Sequence, residues 1–462
     1  ETEEDILDSF SEYINDESNL TKDKKESIND EEGKSSPCEA TLEDEFENGE
    51  VIVKITKEQS AARQEYTAAD FPGVDIKEIT VLIDYYSDIN NTMSLLIKLN
   101  NQNKQSVLDA IKVMEQNPIV FSACPNYIFD VIYNDVSLEE LESNAVSAQS
   151  ARANIDNEID SYLSTYACCA RKYTDSNKNN KAAVGIIGGG IYINRDISSK
   201  VVKYVDCVNG NIEQYNTPVS GHETIVANAL AREAIPSYRS FTHNSCGNNV
   251  ITGVCTNVDL YSFKIAYKDG DNKRSSLSIY ENAINYAKGH GIKVLVCSAL
   301  YSYGNNRNID FENTVSNYDG IIISSASNTT DTLYDNANID ASTKITYPTS
   351  CPSDNVIVVG ECEYLSSGKA VVGSDSRYGQ NTVDLFAPGF IYDDVESNSL
   401  KHGASIAAPR VAGAAAVLLN ICPTLTKSQL RHYLLGGVDS SSYLATKCVS
   451  GGSLNVYKSA KL

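Results

Sequence analysis

Beyond residue 180 the chain predicts an α/β fold, a parallel sheet covered by helices on both faces, because short apolar strands alternate there with helices. The strands Ala182–Ile187, Asp259–Ile265, Lys293–Cys297, Gly320–Ser324, Val356–Gly360 and Val383–Phe386 are apolar along most of their length, as strands buried on both faces are. Helical spacing fills the gaps at Glu223–Ala234, Ser276–Lys288, Ser405–Leu419 and Lys427–Leu435. Upstream the pattern differs. Strands at Val51–Ile55, Thr80–Tyr85, Met93–Leu99 and Ile119–Ile128 surround a helix at Gln105–Glu115, with Val107, Ile111 and Met114 on one face, which predicts a small separate α+β domain.

The organisation expected is an acidic disordered segment at 1–48, the α+β domain at 49–131, a polar linker at 132–164 with a helix starting near Leu138, and the α/β domain at 165–462. Residues 1–50 hold 19 Asp or Glu against 4 Lys and almost no aromatic residues, so they bury too little apolar surface to offset the entropy of ordering. The net charge of −23 argues against nucleic acid or anionic lipid as a partner. No apolar run approaches the roughly eighteen residues of a membrane span. Twelve cysteines, an even number with no repeated C-x-x-C spacing, suit disulfides in an oxidising compartment. Local pairs Cys246–Cys255, Cys351–Cys362 and Cys422–Cys448 are expected, while Cys297, inside an apolar strand, reads as a buried thiol.

The segment richest in chemistry is His402-Gly403-Ala404-Ser405-Ile406-Ala407-Ala408-Pro409-Arg410-Val411-Ala412-Gly413. It places a serine hydroxyl at the N-terminus of a long helix, where backbone N–H groups favour developing negative charge. This resembles the nucleophile motif G-T-S-M-A-x-P-H-V-A-G of the subtilisin-like serine proteases. Within that resemblance His222-Glu223-Thr224-Ile225-Val226-Ala227-Asn228 matches the general-base motif H-G-T-H-V-A-G at His222. Ile321-Ile322-Ile323-Ser324-Ser325-Ala326-Ser327-Asn328 matches the strand that ends in the oxyanion-hole Asn, here Asn328, with Ser327 at its usual Gly. Asn328-Thr329-Thr330 is also a formal glycosylation sequon. Leu260–Ile265, Thr346-Tyr347-Pro348 and Asp384–Gly389 match further family segments, and Ser298-Ala299-Leu300 falls at an S-L-G edge that pairs with substrate, with Leu300 at the glycine. Gly49–Lys54 and Gln116–Tyr127 resemble the family's inhibitory propeptide. The resemblance implies Ser405 as nucleophile, His222 as base, Asn328 as oxyanion donor, no cofactor, and a structural calcium as a family habit. Partners would be a protein or peptide in the substrate groove and the chain's own propeptide, and the location secreted or at the cell surface. Abundant Asn, Ile and Tyr with no Trp suggest an A/T-rich genome such as an apicomplexan parasite's.

The family acid is the discordant position. Val184–Ile191 registers on the strand V-A-V-I-D-S/T-G-I and puts Gly188 at the aspartate. Two carboxylates are near in sequence, Glu223 beside the base and Asp196 beyond the strand; adjacent residues on a helix do not face one another, which counts against Glu223. The glycines Gly188-Gly189-Gly190, with Asp206 downstream, also suggest a dinucleotide-binding turn, but Ile193 stands where that motif needs a small residue. The leading expectation is a degenerate triad in a pseudoprotease that acts by binding. The alternative is an active but impaired endopeptidase using Ser405, His222 and Asn328.

Overall fold

The computed structural model describes residues 37–132 and 165–462, apart from 64, 83–92, 171–179, 193–196, 210–216, 234–240, 244–246, 250–251, 303–306 and 394–398. In the N-terminal unit, strands β1 (Phe46–Ile55), β2 (Ile76–Val81), β3 (Ser94–Leu99) and β4 (Val120–Ile132) carry the helices α1 (Lys57–Ala62) and α2 (Lys104–Met114). The α2 helix starts where Asn103 accepts a hydrogen bond from the Ser106 amide. It buries Val107, Ala110, Ile111 and Met114 on one face. β1 lies between β3 and β4, antiparallel to both, with Val53 opposite Leu95 and Ala123.

The second unit contains β5 (Ala182–Gly188), β6 (Val201–Asp206), α3 (His222–Ala231), β7 (Phe241–His243), β8 (Gly247–Asn249), β9 (Val258–Lys264), β10 (Tyr267–Asp269), β11 (Asn272–Ser276) and α4 (Leu277–Gly289). It continues with β12 (Val294–Cys297), β13 (Leu300–Ser302), α5 (Ile309–Ser316), β14 (Ile321–Ser325), β15 (Thr346–Tyr347), β16 (Val356–Tyr364), β17 (Ala370–Val372), β18 (Leu385–Pro388), α6 (Ala404–Ile421) and α7 (Lys427–Gly436). The order β18-β16-β14-β12-β5-β9-β6 forms its central sheet, and each neighbouring pair in that run is parallel. One face of the sheet is covered by the small-residue helix α6, whose Ala407, Ala408, Val411 and Ala412 are fully buried beside β5, β12 and β14. This bears out the predicted α/β class.

A second apolar cluster runs without a break from the N-terminal unit into α4, α5 and the other face of the sheet. β4 explains the continuity, since it extends to Ile132 rather than ending at Ile128. Its first half pairs with β1 and its second half with β11 and β13.

Four expectations need correction. Residues 37–45 are ordered against the N-terminal unit, with the Cys38 amide donating to Glu115 Oε1, and β1 starts at Phe46 because that ring is a buried anchor. Among the described residues neither Cys351–Cys362 nor Cys422–Cys448 is joined as a disulfide. Cys362 is locked inside β16 and Cys448 Sγ is directed at the Leu444 and Gly452 carbonyls, while Cys422 lies by Thr424. Cys246 lies outside the described residues, as do residues 1–36 and the predicted linker helix up to residue 164. Finally, α6 is long and apolar enough to cross a membrane, although 89% of it is buried as the core helix.

Candidate active site

His222 is the first residue of α3, and its amide donates to Ser220 Oγ at 3.1 Å. Every residue of α3 is buried, and Thr224 Oγ1 exchanges hydrogen bonds with the backbone of Tyr192, so the helix is pinned to the chain leaving β5. Ile225 and Ala229 of α3 pack on Ile406, next to Ser405, which brings the N-terminal turns of α3 and α6 together.

The acid position is filled from the helix side. A Cβ added to Gly188 would lie 2.2 Å from Glu223 Oε1 and 2.6 Å from its Cδ, so the Glu223 carboxylate occupies the volume that a side chain on β5 would have taken. The same oxygen lies 3.2 Å from His222 Nδ1, with both side chains almost wholly buried. An ionised carboxylate only accepts, so Nδ1 carries the proton and Nε2 is the basic nitrogen. The argument from helix spacing against Glu223 fails here because Gly188 leaves space for a long side chain in the first turn to fold back along the imidazole. Asp196 lies outside the described residues.

Ser405 is the second residue of α6, after Gly403, whose φ of +139° suits glycine. Ser298 Oγ donates to the Ser405 carbonyl at 2.9 Å. Asn328 is 5% exposed, and its Oδ1 accepts the Ala404 amide at 3.1 Å, which leaves Nδ2 as the donor end of its side chain. The Asn328 backbone is equally fixed: its N–H donates to Asp331 Oδ2 at 2.9 Å and its carbonyl accepts from Arg377 Nε at 2.9 Å. Ser327 has φ +74°, a conformation that costs a residue with a Cβ roughly 1–2 kcal/mol, and its hydroxyl donates to the same Asp331 carboxylate. Burial of Asn328 against α6 also removes it as a glycan acceptor. Sequence reading missed Asp331 and Arg377, which have no motif of their own.

Ser405, Asn328, Ser298 and Ser327 line one small cleft, and Ile132 of β4 lines it too. β4 lies antiparallel between two strands of the α/β unit, with Ser275 opposite Phe129 on β11 and Leu300 opposite Ile132 on β13. Leu300 therefore does not prevent close approach of a backbone. Further contacts seat the N-terminal unit. Phe129 packs edge-on to Phe311 at 5.5 Å, Asn126 Oδ1 accepts the Ser278 amide at the start of α4, and buried Lys54 lies 3.7 Å from Glu281 and 3.9 Å from Asp310.

Among the described residues no group of three or more His, Cys, Asp or Glu is arranged to hold a metal ion, so the calcium expected from the resemblance gains no side-chain cluster there. Asp206, the acid of the dinucleotide reading, instead accepts from the amides of Val208 and Asn209 in its own turn.

A parallel sheet, a buried histidine at a helix start, and a serine and an asparagine sharing a cleft at the start of α6 are the features of a subtilisin-type α/β protein, with the Glu223 carboxylate beside Gly188, the position of the family's strand aspartate. The chain belongs to the subtilase family, whose model matches residues 179–448. It is 30% identical to subtilisin DY of Bacillus licheniformis over 264 residues, which is 56% of this chain and 83% of that protein. It is 26% identical over 377 residues to a thermophilic serine proteinase of Bacillus sp. (strain AK1), covering 81% and 78%. In fold it is similar to fervidolysin of Fervidobacterium pennivorans, a keratinolytic enzyme related to subtilisin, with a TM-score of 0.64 at 16% identity; the match covers 93% of this chain and 63% of fervidolysin.

Proposed function

We propose that this protein is a secreted or cell-surface subtilisin-like serine endopeptidase with the triad Ser405, His222 and Glu223, held in a zymogen state by its own N-terminal unit. The observation that carries this reading is the Glu223 carboxylate, which lies 3.2 Å from His222 Nδ1 in the space that Gly188 leaves. The pseudoprotease reading rests on the loss of the strand aspartate, and that loss is answered by a carboxylate in the same place.

In this mechanism Ser405 Oγ attacks the peptide carbonyl while His222 Nε2 takes its proton and then passes it to the leaving amine. Glu223 accepts the Nδ1–H, keeps the ring in the required tautomer and stabilises the imidazolium. The tetrahedral oxyanion is met by Asn328 Nδ2 and by the Ser405 amide, which has no carbonyl four residues back inside the helix. Substrate adds as a strand between β11 and β13, where β4 now lies, so the N-terminal unit acts as a tethered competitor. Its partners are thus this unit and a peptide segment of a protein substrate. The test is labelling by a fluorophosphonate. Stoichiometric label on Ser405 in chain cut in the linker and freed of its N-terminal unit, abolished in Ser405→Ala, supports the proposal; no label on that freed chain overturns it.

A further inference from the structure

A second histidine–carboxylate pair lies beside the serine turn. Glu361, in β16, is wholly buried, and its Oε1 accepts the Gly403 amide at 3.1 Å. Its Oε2 lies 3.7 Å from Nδ1 of His402, whose side chain is 42% exposed and stacked on Phe390. The space for this carboxylate is made by Gly389 and Gly373, where an added Cβ would come within 2.6 Å of Oε1 and 3.2 Å of Oε2. Successive amides of one turn are thus tied down, Gly403 to Glu361 and, at 3.2 Å, to the Gly389 carbonyl, and Ala404 to Asn328 Oδ1. The next amide is that of Ser405.

A neutral side chain would serve as acceptor for Gly403. A wholly buried carboxylate is costly unless a cation balances it, and His402 is the group placed to do so. The other charged groups near this imidazole are Glu363 on β16 and Asp375 in the following turn, both acidic, while Arg410 of α6 donates to the Phe390 carbonyl.

We propose that Glu361 and His402 are positioning residues for the proposed protease site: the carboxylate holds the Gly403–Ser405 turn, and the imidazolium of His402 keeps that carboxylate balanced. This deepens the reading of Ser405 as nucleophile and rests on it. The Glu361 carboxylate, opposed by partial burial and reinforced by Asp375 and Glu363, holds the His402 imidazolium above its ordinary value. His402 is therefore charged at lower pH and loses its proton as pH rises through that elevated value. The Ser405 turn loses its balanced anchor on the alkaline side.

The experiment pairs an NMR titration of the histidines on the full chain with the pH dependence of fluorophosphonate labelling on chain cut in the linker and freed of its N-terminal unit. In the wild type, His402 titrates above the ordinary range and the labelling rate falls across the same interval. Glu361→Gln returns His402 towards its ordinary value, and Glu361→Ala, which removes the acceptor of the Gly403 amide, lowers labelling about tenfold or more. His402→Gln removes the alkaline fall, and it serves if Glu361→Gln does not fold. An unchanged His402 titration in Glu361→Gln, or an alkaline limb that persists in His402→Gln, overturns the pair's role while labelling continues and the protease reading stands. Absence of labelling in the wild type at every pH overturns both.

Discussion

A glycine at position 188 removes a side chain and also opens a space, and the Glu223 carboxylate fills it within hydrogen-bond reach of His222 Nδ1. The acid of a triad holds the imidazole in one tautomer and stabilises its charged form, so its origin on a strand or on the helix of the base matters less than its position. Glu223→Gln keeps the shape and removes the charge. It is expected to lower kcat by about 10⁴, close to the loss of about 3 × 10⁴ on removing the acid in subtilisin, the family member on which that figure was established. Steady-state kinetics on a peptide substrate check this. Asn328→Ala removes the proposed oxyanion donor and is expected to lower kcat about 10²–10³ with KM little changed. Ser405, His222 and Asn328 could be proposed from the sequence because each lies in a segment that resembles a family motif. The proposed acid, Glu223, could not, because its placement depends on a contact between a missing side chain on β5 and a bent one on α3, which no spacing rule encodes.

At the scale of elements, β4 joins the two halves of the protein. Its alternation was visible only as far as Ile128, since beyond that point its hydrogen-bonding partners belong to another unit and lie about 140 to 170 residues away in sequence. The central strands and α6 were easier to read, because a strand buried on both faces is apolar throughout and a helix packed closely on a sheet is rich in small residues. The seat of β4 includes a buried charge, Lys54, facing Glu281 and Asp310. Removing one partner of such a group leaves the others buried and unbalanced, at a cost of about 3–5 kcal/mol. Lys54→Met should therefore weaken the hold of the N-terminal unit by about 10²–10⁴-fold. Its dissociation rate from chain cut within the linker, measured by the onset of substrate hydrolysis, checks this; an unchanged rate would show that the lysine contributes nothing to docking.

Across the whole molecule, one apolar cluster spans the N-terminal unit, α4, α5 and the sheet, so the two units share a core as well as an edge. Cutting residues 133–164 should then leave the pieces together in size-exclusion chromatography, and hydrolysis should rise only when the N-terminal unit is degraded or displaced. Immediate activity on cutting would mean that β4 does not occupy the groove in solution. The central claim is that Glu223 does the work of an aspartate at 188, and the measurement that tests it most directly is kcat/KM of Gly188→Asp combined with Glu223→Ala, compared with each single change. Gly188→Asp alone should be nearly inactive, because its Cβ would meet the Glu223 carboxylate at 2.2 Å, and Glu223→Ala alone should be nearly inactive for want of an acid. The account predicts that the double variant recovers to within about tenfold of the wild type, on the order of 1.4 kcal/mol. Full activity in Glu223→Ala, or a double variant no better than either single one, would contradict it.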